Sequence, residues 1–226
     1  ETVNVNGDQN LTTTITSTSL KTVDASSFTG KLDVTYAAAA DLTITGGSGD
    51  DTITFSADNF TSADTVDGGT GTDVLEVATT ITAATFLKNV SNVETLKVTG
   101  ANDVTIATDA NVMTFDLTST GANTLTLNNG VTSAVTAILG DTAADIVTNS
   151  ANVDLTVKGS ATAIGTTTSI AGGTASDSIE ITADTEADGA INIQGVGIRS
   201  VEKITVVDAG DATTGSTKRS GKDINL

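Results

Sequence analysis

Two short stretches carry the residue types and spacing that could do chemistry. Residues 46–51 read GlyGlySerGlyAspAsp and residues 68–73 read GlyGlyThrGlyThrAsp. Gly46, Gly47, Gly49, Asp51 and Ile53 recur as Gly68, Gly69, Gly71, Asp73 and Leu75, each 22 positions on. Closely spaced glycines let a backbone turn sharply at positive φ and leave its carbonyl oxygens free to point at one centre. The aspartate adds a charged oxygen, and a hard cation such as calcium takes roughly six to eight oxygens. One turn supplies only part of such a shell, so a second turn stacked on it must complete the rest. The competing interpretation is a pair of glycine turns capped by aspartates, with no ion.

Two worn copies follow. Residues 171–179 keep Gly172, Gly173, Asp177 and Ile179, with Ala175 in place of the third glycine; residues 140–147 keep Gly140, Asp145 and Val147. Alanine takes positive φ poorly. A second calcium site near Gly173 and Asp177 therefore calls on Asp141, Asp184 or Asp188 for further oxygens.

The elements that must position these turns are short. An apolar–x–apolar unit recurs as Val3 and Val5, Leu32 and Val34, Leu42 and Ile44, Ile53 and Phe55, Leu75 and Val77, Leu96 and Val98, and onward to Ile204 and Val206. Alternation of period two marks half-buried strands. Their recurrence at roughly 10–22 residues, divided by turn residues, predicts a parallel β-helix or β-solenoid of stacked short strands. Phe28 precedes a turn at Gly30, and Phe55 and Phe60 cover the core beside a solvated loop holding Asp58 and Asp64. Residues 81–93 carry the helical signal, with Phe86, Val90 and Val93 on one face, predicting one short helix near 82–90. ValGlu followed by an apolar–x–apolar strand occurs at residues 93–98 and again at 201–206. This repeat divides the chain into a first half, 1–120, with two intact motifs, and a second, degenerate half, 121–226. The two can form one continuous domain, and a start at Glu1 suits a fragment of a longer chain.

Composition excludes much. Histidine and cysteine are absent, so the usual general base, thiolate nucleophile and disulfide are missing, and no enzymatic role is expected. The formal charge is −18, and 22 of the 28 acids are aspartates. Such a field repels nucleic acid and anionic membranes and attracts cations. No apolar run is long enough to span a membrane, and no N-terminal signal peptide is visible. Threonine, at about a fifth of the chain, suits rows of hydroxyls on stacked strands. The last residues, 208–226, read as a solvated tail in which Lys218, Arg219 and Lys222 lie close together.

The two motifs match the RTX (repeats-in-toxin) nonapeptide. Together with AspAlaSerSerPheThrGlyLysLeuAspVal at 24–34 and AsnValGluThrLeuLysVal at 92–98, the chain resembles the crystalline surface-layer (S-layer) proteins that Gram-negative bacteria export by type I secretion. The resemblance implies a calcium-dependent solenoid at the cell surface, tiling with copies of itself into a lattice. It implies side-chain ligation by Asp51 and Asp73, with carbonyls from Gly47, Gly49, Gly69 and Gly71. It also implies an uncleaved C-terminal export signal and an anchor to lipopolysaccharide, for which no region here has a counterpart. Without calcium, Asp50, Asp51, Asp67 and Asp73 would crowd like charges, so the chain is expected to stay loose in the cytosol and fold outside. Rival expectations are an RTX adhesin segment, or the secretion module of a larger calcium-dependent enzyme.

Overall fold

The computed structural model describes residues 1–81, 87–100, 103–108, 112–119, 121–140, 144–164, 169–183, 191–192, 197–208 and 224–225. They form a parallel β-solenoid of about eight turns. One face is a ten-stranded sheet that begins at Leu11–Ile15 and Leu32–Tyr36. It continues through Thr52–Phe55, Val74–Val77, Thr95–Val98, Thr114–Leu117, Val135–Leu139, Leu155–Ser160 and Ser178–Ala183 to Lys203–Asp208. The opposite face has two five-stranded sheets. Thr2–Gly7, Thr22–Phe28, Thr43–Thr45, Thr65–Asp67 and Val90–Ser91 make the first. Asp103–Thr108, Thr124–Gly130, Ile146–Asn149, Ser169–Ala171 and Gly197–Arg199 make the second.

Alternation explains the layering. In Thr52–Phe55 and Val74–Val77, Ile53, Phe55, Leu75 and Val77 point inward and are buried, while their neighbours are half-exposed. Parallel in-register pairing then stacks like on like: Ile53 lies beside Leu75, and Leu75 beside Leu96. Thr2, Thr22, Thr43 and Thr65 form one such row on the opposite face. Tyr36, Phe55 and Phe60 are fully buried and pack in a row inside the coil, with the ring centroids of Tyr36 and Phe55 5.3 Å apart and those of Phe55 and Phe60 5.2 Å apart. Outside, Lys97 meets Glu76 at 3.3 Å and Lys158 meets Glu180 at 3.5 Å across neighbouring strands.

Two expectations need correction. Residues 82–86 of the expected helix lie outside the described residues, but Leu87, Lys88 and Asn89 form a bend and turn and Val90 opens a strand. The single helical turn among the described residues is a 3-10 turn at Ala57–Asn59. Helical spacing at Val90 and Val93 instead reflects burial on both sides of a tight corner. Asp64 is likewise no solvated loop acid: it is fully buried, and its Oδ1 accepts the Leu42 amide at 2.8 Å while Oδ2 accepts that of Thr61 at 2.7 Å.

Candidate functional site

The 46–51 turn joins Thr43–Thr45 to Thr52–Phe55, and the 68–73 turn joins Thr65–Asp67 to Val74–Val77. Both flanking strand pairs hydrogen-bond in register, Thr43 with Thr65 and Thr52 with Val74, so the second turn lies directly on the first. The Gly46 amide donates to the Asp67 carbonyl (2.7 Å), Thr70 to the Gly47 carbonyl (3.0 Å) and Thr72 to Asp50 Oδ1 (2.8 Å). The offset of 22 is thus one coil.

The aspartates face inward. Asp51 and Asp73 are each about 1% exposed. Asp51 Oδ1 accepts the Leu32 amide of the preceding coil (2.8 Å), and Oδ2 accepts the Gly47 amide of its own turn (2.8 Å). Asp73 Oδ1 accepts the Asp51 amide (2.7 Å), and Glu94 Oε2 accepts that of Asp73 (2.6 Å). A carboxylate column therefore runs up the corner, each member satisfying a backbone donor one coil below. Such donors sit where the chain leaves one sheet for the other and no ladder partner exists.

The second half repeats the device. Asp177 Oδ1 accepts the Leu155 amide (2.9 Å), Oδ2 accepts that of Gly173 (2.6 Å), and Glu202 Oε2 accepts that of Asp177 (2.6 Å). Asp177 keeps both bonds although Ala175 replaces the third glycine. Asp145 Oδ1 accepts the Asn123 amide (2.9 Å) and Oδ2 that of Gly140 (3.3 Å). Burial pushes the Asp145 carboxyl above its ordinary range.

The glycines answer mainly to close stacking. Among the motif glycines only Gly69 and Gly71 have φ in the left-handed region, at 99° and 136°. At Gly68 a Cβ would collide with the Asn92 carbonyl oxygen of the next coil and lie 2.7 Å from Asp73 Oδ2. Gly46 meets the Gly68 carbonyl in the same way, and Gly172 that of Ser200. Corner packing alone thus requires both parts of the motif, glycine and aspartate.

Asp73 differs from its counterparts. Its Oδ2 is buried and has no hydrogen-bond partner. Burial, helped by the charges of Asp51, Glu94 and Asp50 and opposed by the Asp51 amide, pushes this carboxyl up to about 6.

Against the ligand set that the resemblance implies, the fit is confined to this corner. Asp51 and Asp177 engage both carboxylate oxygens with amides, and the Gly47 carbonyl accepts from Thr70. Among the described residues, Asp73 Oδ2 alone is a buried carboxylate oxygen with no hydrogen-bond partner. Asp67 flanks the same turn, its Oδ1 accepting from Gly69 (3.2 Å) and from Asn92 Nδ2 (2.7 Å), and Asp50 is exposed on the turn below. Among the described residues no three acids are grouped to hold a metal ion. Asp141, Asp184 and Asp188 lie outside the described residues.

Sequence reasoning missed the glutamates. Glu94 and Glu202 follow Asn92 and Ser200, whose φ values of 50° and 51° turn both corners alike. The signal was the repeated ValGlu before a strand. Asn123 left only a faint trace: its Nδ2 donates to the Gly121 carbonyl at 2.8 Å, filling a corner without charge.

A titration follows from the Asp73 shift. The folded state holds a proton here more tightly than the unfolded chain, so this group's contribution to stability is full below about pH 4. It is lost as pH rises through about 6. Asp73→Asn keeps the Oδ1 acceptor and places an amide donor over Gly68 near the Asn92 carbonyl. In chelator at pH 7.5–8, thermal melts of Asp73→Asn are expected to show a gain of about 1–2 kcal/mol over the parent, shrinking towards about pH 4. A variant less stable than the parent at every pH contradicts this.

No protein-family model matches the chain, and neither the curated proteins nor the solved structures compared with it yield a match.

Proposed function

We propose that this chain is a structural segment of an extracellular surface layer, exported by type I secretion and assembling with copies of itself into a lattice. The observation that carries the proposal is the in-register stacking of two RTX-type turns, one coil apart, on a threonine-rich parallel solenoid of charge −18. A fold whose outer faces are regular sheets presents repeated, flat, polar surfaces for tiling. Its acidity supports cation-mediated contact between copies and disfavours contact with nucleic acid.

Calcium enters this proposal at the 68–73 turn, where Asp73 would hold it through Oδ2, with Asp50 of the turn below and Asp67 at the start of the same turn as further acids. When bound, the cation supplies positive charge beside a buried carboxylate. The chain's own residues do the rest: Asp51 and Glu94 fix the backbone on either side of Asp73, and the stacked glycines keep the turns in contact. Calcium at about 100 times its Kd would add about 2.7 kcal/mol per site.

Negative-stain electron microscopy in millimolar calcium and in EGTA, with thermal melts of the same samples, tests the proposal. Ordered arrays in calcium alone, with a higher melting temperature that Asp73→Asn abolishes, are the expected result. Dispersed monomers in both conditions overturn the assembly role. Glycan or cell binding by those monomers would indicate an adhesin segment.

A further inference from the structure

The outward side of the long sheet carries a charge pattern that inverts about its middle. From Val74–Val77 to Lys203–Asp208, seven of its strands pair in parallel register. One outward column along them reads Glu76, Lys97, Asp116, Ile138, Lys158, Glu180 and Thr205, all half-exposed. The column beside it, two residues earlier in each strand, reads Val74, Thr95, Thr114, Thr136, Thr156, Ser178 and Lys203. Counted from Ile138, the first coil on either side holds Asp116 and Lys158, and the second holds Lys97 and Glu180. Opposite charges thus stand at equal distances from one centre. The third step has Glu76 on one side and Lys203 on the other.

Charge balance sets this face apart. The whole chain has 28 acids, ten bases and a charge of −18. These two columns hold Glu76, Asp116 and Glu180 against Lys97, Lys158 and Lys203, and sum to zero. Two copies therefore repel over most of their surface and least here. Ile138, at the centre, is apolar yet on the outward side, and hydroxyls fill most of the neighbouring column.

We propose that this face docks on the same face of a second copy, about a two-fold axis running along the strands at Ile138, with the coil axes antiparallel. In such an isologous contact each pairing occurs twice. Asp116 of one copy faces Lys158 of the other, Lys97 faces Glu180, and Ile138 meets its own counterpart. Beside them Thr114 faces Thr156 and Thr95 faces Ser178. Moving the axis by half a coil sets Lys97 on Lys158 or Asp116 on Glu180, and parallel coil axes set every charge on its own like. Seven strands about 4.8 Å apart and about 16 Å long give about 500 Å² of face per copy, or about 1,000 Å² in the pair, the lower bound for a specific interface. The contact rests on the self-assembly proposed above and names one of its surfaces. Unlike the Asp73 site, it uses fixed charges and needs no calcium, and it weakens with salt.

Sedimentation velocity and electron–electron double resonance, both in EGTA, test it. The chain has no cysteine, so Thr54→Cys, four coils before Ile138 on the same column, takes a single spin label. Antiparallel docking separates the two labels by eight coil steps, about 40 Å, whereas parallel coils bring them within about 20 Å. The expected result is a concentration-dependent dimer with the longer distance. Asp116→Lys and Lys158→Asp each set like charges together twice, and each alone should weaken the dimer by about tenfold or more. Circular-dichroism melts should show both variants folded. Mixed one to one, the two should pair again, because every altered contact then joins a lysine to an aspartate. A mixture that fails to recover, or a dimer with the shorter distance, overturns the proposal. A monomer in EGTA at every concentration overturns it too. If that monomer still forms arrays in calcium, the surface-layer reading stands without this face; if it forms none, both fall.

Discussion

Gly68→Ala is expected to destabilise the fold by about 3 kcal/mol or more, lowering the melting temperature by about 6–12 °C. The new Cβ would fall on the Asn92 carbonyl oxygen, 2.7 Å from Asp73 Oδ2. Neither neighbour can retreat. Ser91, adjoining Asn92, accepts the Gly68 amide at 3.0 Å, and Asp73 is tied through Oδ1 to the Asp51 amide. A methyl group there must prise two coils apart or break the corner column. Gly172→Ala should act alike against the Ser200 carbonyl, whereas Ser48→Ala, exposed in the first turn, should stay within about 0.5 kcal/mol. Circular-dichroism melts of the three variants decide the matter, and a Gly68→Ala melt superimposing on the parent would show that the coils are not packed this closely.

Asp51→Ala is expected to cost about 3–5 kcal/mol. It strands the amides of Leu32 and Gly47, both buried, and each buried donor left without an acceptor costs about 1–3 kcal/mol. Asp51→Asn keeps one acceptor for Leu32 but turns an NH2 toward the Gly47 N–H, so about half the loss should remain. The penalty of Asp51→Ala should be the same in EGTA as in calcium, because the bonds it breaks involve backbone donors. A penalty appearing only in calcium would identify Asp51 as a metal ligand. Loss of the Asp51 charge should also draw the Asp73 carboxyl back toward its ordinary range.

The strands were legible where two apolar residues alternate: Ile53 with Phe55, Leu75 with Val77 and Leu155 with Val157 all face inward. Strands of the opposite face were harder to see, because Thr65–Asp67 and Ser169–Ala171 each offer a single buried residue, Val66 or Ile170, too little for a period to register. Residues 81–93 misled through Val90 and Val93, whose spacing fits a helix as well as a corner buried on both sides. The constant offset of 22 and the glycine spacing correctly implied two stacked turns. The direction in which the aspartates point was not legible. A carboxylate two residues after a glycine suits a cation or an orphan amide equally well, and only the folded corner, with the Leu32 N–H of the coil below and the Gly47 N–H of the same turn aimed at Asp51, distinguishes them. The expectation that the chain stays loose without calcium narrows accordingly: the Asp51 and Asp177 corners are complete with protein donors, and among the described residues Asp73 alone keeps a buried carboxylate oxygen without a partner.

Amide hydrogen exchange in EGTA tests most directly whether inward carboxylates, rather than bound metal, close the corners of this solenoid. The amides of Leu32, Gly47, Leu155 and Gly173 should exchange as slowly as the central strands, with calcium adding protection chiefly around Asp73. Exchange of those four amides at unfolded rates until calcium is supplied would contradict the account.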